Sequence, residues 1–181
     1  MDAALQRFLA GRSADFSQTI EFGDGAHRLT LRGYLTTDTP PDQLVLAGRA
    51  LVLRESEVLV VQNPEGEHVL PGGRREPGES PEDSARREVL EEAGWTLGDL
   101  EPFAALHLHY ETPRPTNPVG RIIYPDFIWQ VFRAAPLAHV PQSRQLGDWE
   151  QDAYFRPVTA MIDILEPYQR VLLETAAMDV S

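Results

Sequence analysis

The sequence predicts an α/β fold in which helices pack against a mixed β-sheet. Several segments alternate apolar and polar residues with the two-residue period of a strand, and a strongly helical segment interrupts them at 81–93. A second helical pattern follows near the C-terminus. The 181 residues suffice for one domain with its own core, and 42% hydrophobic and 24% charged residues are typical of a globular protein.

Residues 1–42 are predicted to form an N-terminal extension, and residues 43–181 to form the main domain. The apolar-rich segment 2–10 predicts a short helix. Two alternating runs flank the sequence GDG at 23–25, which is typical of a β-hairpin. The following segment, TTDTPPDQ, has two prolines and no periodicity, as expected of a linker.

The main domain begins with two apolar runs separated by RESE, which predict a second hairpin. A loop-rich segment then leads into the central helix. Further strands are predicted at 103–111, 122–134 and 153–158, with polar or proline-rich loops between them and closing helices at 159–178.

The central helix has recognisable signals at both ends. Ser80 suits the N-cap, Pro81 suits the first helical position, and Asp83 completes a capping-box pattern. Gly94 is a natural residue just beyond the C-terminal end. The sequence therefore predicts a helix over 81–93.

Three glutamates of this helix, Glu88, Glu91 and Glu92, fall within about a quarter-turn of one another at about 100° per residue. Like charges at this spacing destabilise a helix, and partial burial raises the pKa of each carboxyl group. A hard divalent cation removes that cost. Oxygen ligands suit Mg²⁺, with Mn²⁺ as a substitute, better than zinc.

The loop before the helix supports this interpretation. Gly72 and Gly73 would let the backbone come close to a metal ion or a phosphate. Arg87 can brace Glu91, four residues later, with its fork of donors, and Glu79 is a second expected partner of Arg87.

The spacing of these residues resembles the Nudix box of hydrolases that cleave nucleoside diphosphates linked to another group. Residues 73–95 read as a glycine, five residues, a glutamate, seven residues, Arg-Glu-Val, one residue, two glutamates, one residue, a glycine and an apolar residue. Trp95 stands where the family prefers an aliphatic residue. The element order from about Leu44 onward also resembles the family's fold, so the resemblance implies a Nudix-type α/β/α sandwich.

The resemblance implies a role for each box residue. Those that would hold metal ions are Gly72, through its carbonyl, Glu88, Glu91 and Glu92. Those that would act in catalysis are Arg87, Glu91 and Glu92, with Arg87 orienting the set. Those with a structural role in the motif would be Gly73, Glu79 and Gly94. In the family the general base is a box glutamate or an acid on a later loop, where Glu150 is the first candidate and Asp152 the second.

Five residues outside these roles are predicted to contact the substrate. Arg74, Arg75 and Arg121 offer positive charge to a phosphate, and Tyr110 offers a ring that can stack on a base, as does Trp149.

His107 and His109 share one face of a predicted strand. Contact with the substrate and structural hydrogen bonding remain alternatives for them. Phe127 and Trp129 share a face of the next strand and are predicted to lie in the core.

Composition excludes several classes of function. The chain has no cysteine, so disulfides, zinc–thiolate sites and cysteine nucleophiles are excluded, and a cytoplasmic location is expected. The same absence argues against the isopentenyl-diphosphate isomerases that resemble this family. A net charge of −12 argues against a nucleic acid polymer as partner. No apolar run is long enough to predict a membrane span.

The leading function is Mg²⁺-dependent hydrolysis of a diphosphate linkage in a small anionic nucleotide. The substrates left open are a nucleoside triphosphate, a nucleotide sugar such as ADP-ribose, and a dinucleoside polyphosphate. The alternative is a Nudix-fold module that senses a nucleotide without cleaving it, although an intact box argues against this. The resemblance also implies a possible homodimer.

Overall fold

The computed structural model describes residues 2–22, 27–112, 126–141 and 151–178. The helices are α1 (Ala3–Leu9), α2 (Pro81–Ala93), α3 (Val158–Met161) and α4 (Pro167–Met178), with a 3₁₀ turn at Asp42–Leu44. The strands are β1 (Phe16–Phe22), β2 (His27–Leu35), β3 (Val45–Arg54), β4 (Glu57–Asn63), β5 (Gly66–His68), β6 (Gly72–Arg74), β7 (Trp95–Leu97), β8 (Glu101–Tyr110), β9 (Asp126–Ala134), β10 (Pro136–His139) and β11 (Asp152–Pro157).

The main sheet has the strand order β1-β2-β8-β9-β3-β4-β11, with β5 paired to β4 and β6 paired to β3. Strands β3 and β9 are parallel, whereas the other neighbours in this order are antiparallel. The predicted mixed sheet is therefore confirmed. A separate pair, β7 with β10, was not predicted from the sequence.

Helices cover both faces of the main sheet. On one face, Leu172 of α4 shares a core with Leu106 of β8. On the other face, Val89 of α2 packs in a cluster with Phe132 of β9, and Leu5 of α1 packs farther along the same sheet. This arrangement is the predicted α/β/α sandwich.

The N-terminal residues continue the main sheet, because β2 pairs with β8 from Leu29 opposite Tyr110 to Leu35 opposite Ala104. The domain boundary at residue 42 remains a prediction. The sheet is continuous across the two predicted parts, because β2 from the extension is hydrogen-bonded to β8 of the main domain. Among the helices that the structure describes, none is both long enough and apolar enough to cross a membrane.

Candidate active site

Helix α2 carries the predicted carboxylates, and its first turn forms as the sequence predicts. The Ser80 hydroxyl accepts the N–H of Asp83 at 3.0 Å, and the Asp83 carboxylate accepts the N–H of Ser80 at 3.1 Å. At the other end, Gly94 adopts a left-handed conformation with φ 71°, and its N–H donates to the Leu90 carbonyl at 2.9 Å. These caps fix where the glutamate-bearing turns begin and end.

The glycine pair allows β6 to approach α2 and β3 closely. A Cβ on Gly73 would lie 2.2 Å from Oε1 of Glu88, so only glycine leaves room for that carboxylate. Gly72 has φ 146°, and a Cβ there would lie 2.4 Å from the carbonyl oxygen of Gly48. The Ser84 hydroxyl donates to the Gly73 carbonyl at 3.0 Å and holds the glycine strand on the helix.

Arg87 joins three carboxylates through one guanidinium group. Its Nε and one NH₂ group donate to the two oxygens of Glu79 at 2.7 and 3.1 Å. Its other NH₂ group donates to Glu88 at 2.8 Å and to Glu91 at 3.1 Å. A fourth partner is the Arg74 carbonyl, which accepts a hydrogen bond from Arg87 at 3.0 Å. Arg87 therefore fixes the positions of the carboxylates relative to one another.

The electrostatics of Glu79 and Glu88 differ although both contact Arg87. The hydrogen bond from Arg87 lowers the pKa of Glu79 below its ordinary value. Burial raises the pKa of Glu88, and this effect outweighs the hydrogen bond from Arg87. The negative charge of Glu88 is thus less favourable in the folded protein than in water. A cation bound beside it would offset this cost.

Glu92 and Gly72 line a pocket of about 610 Å³ beside the carboxylate cluster. This volume lies within the range of about 300–1,000 Å³ that is usual for small-molecule sites. The N-terminal extension supplies part of its wall through Gln18 of β1. Gln18 donates to Glu166 at 2.9 Å and accepts the N–H of Tyr168 at 3.2 Å, so β1 is tied to the start of α4.

An arginine and an aromatic ring meet in the same pocket. The Arg49 guanidinium lies 4.3 Å from the ring centroid of Trp129, and one of its NH₂ groups donates to the Leu70 carbonyl at 2.9 Å. Its Nε is buried without a hydrogen-bond partner among the described residues. Burial, with a further contribution from Arg49, lowers the pKa of His68 to about 4, so this pocket residue is neutral at pH 7.

A protein-family model described as the NUDIX domain matches residues 44–175, which is more than half of the chain. The chain belongs to the NUDIX domain family. The predicted Nudix fold and the prediction of a Nudix-family hydrolase are thereby confirmed.

Solved Nudix structures show the same fold. A NUDIX hydrolase from Nitrosomonas europaea has a TM-score of 0.57 and 19% identity, covering 74% of this chain and 88% of that one. A mutant of the Bacillus subtilis pyrophosphohydrolase BsRppH has a TM-score of 0.53 and 16% identity, covering 77% of each chain. A comparison with curated proteins gave no match.

The predicted substrate-binding residues lie in different surroundings. Arg75 donates to the Glu79 carbonyl at 2.9 Å through Nε and forms an ion pair with Asp42 at 3.0 Å. Its guanidinium thus ties the loop between β6 and α2 to the 3₁₀ turn just before β3. Arg74 is exposed at the end of β6. Tyr110 is buried, and its ring centroid lies 5.8 Å from that of Phe127.

Of the two later-loop candidates for the general base, the structure describes Asp152. Asp152 is exposed at the start of β11, opposite Gln62 of β4. Glu150, Arg121 and Trp149 lie outside the described residues.

His107 and His109 share a face of β8, as predicted, and both contact Asp126 of β9. Asp126 Oδ1 lies 2.8 Å from Nε2 of His107 and 2.8 Å from Nδ1 of His109. Burial lowers the pKa of His107 despite this contact. Burial alone would raise the pKa of Asp126, but the hydrogen bonds from the two histidines bring it below its ordinary value.

Sequence analysis missed Arg49 and assigned Trp129 to the core, although both line the pocket. Arg49 interrupts the apolar strand segment LAGRALV, and a charged residue there was an available signal. Trp129 does pack against the core that contains α4, and it also faces the pocket. Strand alternation does not distinguish these two situations.

Proposed function

We propose that this protein hydrolyses a diphosphate linkage in a nucleoside diphosphate derivative, with Mg²⁺ as its metal ion. One observation carries the proposal: Arg87 donates to both Glu88 and Glu91, the Glu88 carboxylate lies against Gly73, and Glu92 of the same helix lines the adjoining pocket. One ligand-type carboxylate, Glu92, thus lines a space large enough for a nucleotide, and the other two are carried by the same helix.

The residues present fit a hard divalent cation. Glu88, Glu91 and Glu92 offer only oxygen donors, and the Gly72 carbonyl is a fourth candidate. The raised pKa of Glu88 indicates a carboxylate that a cation would stabilise. A bound Mg²⁺ would neutralise diphosphate charge and make a water molecule more acidic.

The protein's own groups supply position and charge. Arg87 holds two of the ligand carboxylates, and Arg49 is placed to donate from the pocket wall to a phosphate oxygen. Water then attacks a phosphorus atom in line, and a phosphate-bearing group leaves. A general base, Glu150 or a glutamate of the box, takes the proton from the water.

The charges around the pocket bear on the choice of substrate. Its lining includes Glu21, Glu65, Glu67, Glu92 and Glu166, of which Glu21 is paired with Arg28 and Glu67 with Arg156. Glu92 and Gly72 mark the end that would receive the diphosphate, so the rest of the ligand would lie near Glu65 and Glu166. Carboxylates accept hydrogen bonds from hydroxyl groups and repel further phosphates. Among the three predicted substrates, this favours a nucleotide sugar.

A substrate panel tests the proposal. Nucleoside triphosphates, nucleotide sugars including ADP-ribose, and dinucleoside polyphosphates would be incubated with Mg²⁺, and the products identified by chromatography. We expect a nucleotide sugar to have the highest kcat/KM, with no turnover after chelation of the metal. Ligand-induced thermal stabilisation without product would instead support the nucleotide-sensing module.

The homodimer also remains a prediction. Light scattering in solution would test it.

A further inference from the structure

We propose that His107, His109 and Asp126 form a second metal site, which binds a transition-metal ion such as Zn²⁺ and is separate from the Nudix box. His109 of β8 lies directly opposite Asp126 of β9, and His107 is two residues earlier on the same face. One donor atom from each residue lies within 4.8 Å of the other two. Two imidazoles and one carboxylate are a ligand set that such ions bind while keeping positions open.

The donor spacing fits a coordination shell. Asp126 Oδ1 is 2.8 Å from a nitrogen of each histidine. Metal–ligand bonds of about 2.0–2.1 Å place neighbouring donors about 2.9 Å apart in an octahedron and about 3.3 Å apart in a tetrahedron. Small side-chain rotations would therefore admit an ion without any change in the strands.

Burial gives the cluster a closed side and an open side. His107 is 2% exposed and Asp126 is 3% exposed, whereas the His109 side chain is 38% exposed. Nδ1 of His107 has no hydrogen-bond partner among the described residues, so this ring is held through Nε2. Nε2 is the nitrogen that faces Asp126, so a bound ion would be coordinated there.

Charged neighbours are compatible with a divalent cation. Arg32 of β2 lies opposite His107, and Thr30 lies opposite His109. The Thr30 hydroxyl donates to the carboxylate of Glu111, which brings a second negative charge to this edge of the sheet. Asp126 and Glu111 carry two negative charges, whereas Arg32 carries one positive charge. The surroundings are therefore compatible with another cation.

The cluster lies on the opposite face of β9 from the proposed substrate pocket. Asp126 and Ile128 share a face, and Ile128 packs in one cluster with Leu5 of α1. The next residue, Trp129, faces the pocket. An ion bound at His107, His109 and Asp126 would thus join the end of β8 to the start of β9, and would not contact the diphosphate.

Metal retention by a variant with a disabled Nudix box tests this site. The combined change Glu88→Gln, Glu91→Gln and Glu92→Gln would be dialysed against buffered Zn²⁺, and bound zinc would be measured by elemental analysis. We expect about one equivalent of zinc, and a visible absorption band when Co²⁺ replaces it. Adding His109→Ala or Asp126→Asn removes a proposed ligand, so it should weaken zinc binding by at least the roughly 100-fold that loss of an outer-shell partner can cost.

Asp126→Asn keeps the size of the side chain and its ability to accept hydrogen bonds, so a purely structural role predicts unchanged zinc content. The matched control is His139→Ala, because His139 stacks on Trp95 and lies outside the cluster. This control should retain zinc.

Absence of bound zinc in the box variant, or equal zinc in the variants with and without His109, would overturn the proposal. His109→Ala keeps the test decisive if Asp126→Asn does not fold, because His109 is partly exposed.

Discussion

Arg87 and Glu79 form a two-point ion pair, with 2.7 Å from Nε to one carboxylate oxygen and 3.1 Å from an NH₂ group to the other. The same guanidinium donates to Glu88 and Glu91. The pair therefore holds Arg87 in the orientation that gathers the proposed metal ligands. Glu79, which binds no proposed metal, acts on the site through Arg87.

Replacing Arg87 with lysine keeps the charge but removes the fork of donors. One ammonium group cannot hold Glu79 at two points while also donating to Glu88 and Glu91. We expect kcat to fall by about 10- to 100-fold. The free energy of unfolding should fall by about 1–3 kcal/mol. Steady-state kinetics and denaturant unfolding measure these effects.

Arg86→Lys is the matched control, since Arg86 neighbours Arg87 but donates to the Leu97 carbonyl at 2.8 Å. Its kcat should remain close to that of the wild type. Equal loss of kcat in both variants would contradict the role given to Arg87.

Glu88→Gln should stabilise the metal-free protein at neutral pH. Burial raises the folded-state pKa of Glu88, so the folded state binds this proton more tightly than the unfolded state does. Stability from Glu88 is thus present below its unfolded pKa and is lost as pH rises through the folded pKa. The glutamine variant should gain about 0.5–2 kcal/mol at pH 7. The difference should shrink as the pH falls through the folded-state pKa of Glu88, and it should vanish below the ordinary value of 4.5.

Thermal unfolding with a chelator, repeated across pH, measures this difference. Addition of Mg²⁺ should favour the wild type and reduce the advantage of the variant. Glu82→Gln, an exposed position in the first turn of the same helix, is the control and should show neither effect. A wild-type protein more stable than Glu88→Gln in the chelator at pH 7 would be evidence against an uncompensated carboxylate.

Gly73→Ala should displace the Glu88 carboxylate, because the added Cβ would lie 2.2 Å from Oε1. We expect kcat/KM to fall by about 10- to 100-fold, since small misplacements of catalytic groups have effects of this size. Gly98→Ala is the control, because its nearest neighbour would be 3.6 Å from the new Cβ. Kinetics at saturating Mg²⁺ compare the two. A Gly73→Ala enzyme with wild-type kcat/KM would rule out the close approach as a functional requirement.

Arg49→Met should weaken substrate binding. Methionine keeps much of the apolar stem and removes the charge beside Trp129. Loss of a charge-assisted hydrogen bond to phosphate should raise KM by about 10- to 100-fold, with a smaller change in kcat. Arg54→Met, on the same strand and paired with Glu57 at 2.8 Å, is the control. A KM unchanged in Arg49→Met would remove Arg49 from the proposed pocket contacts.

Local signals account for what the sequence predicted well. The capping pattern at Ser80, Pro81 and Asp83 and the glycine at position 94 depend on neighbours within a few residues, and α2 has the predicted bounds. The spacing of Glu88 and Glu91 likewise placed both side chains within reach of Arg87. These features depend on the backbone geometry of one helix.

Long-range pairing accounts for what the sequence did not predict. Strands β7 and β10 have three and four residues, and each is stabilised by a partner that is distant in the chain. The pocket combines Gln18, Arg49 and Trp129 with Tyr168, residues from four separate elements. The ion pair between Arg75 and Asp42 was missed for the same reason, because it joins the loop between β6 and α2 to a residue 33 positions earlier in the chain.

Mg²⁺-dependent turnover by Glu92→Gln tests the central claim most directly. The preferred substrate would be assayed across a Mg²⁺ titration, with Glu82→Gln as the control on the same helix and circular dichroism as the check of folding. The proposed metal site predicts a loss of at least about 1,000-fold in kcat for Glu92→Gln at every Mg²⁺ concentration, and the wild-type rate for the control. A folded Glu92→Gln enzyme with the wild-type rate would contradict it.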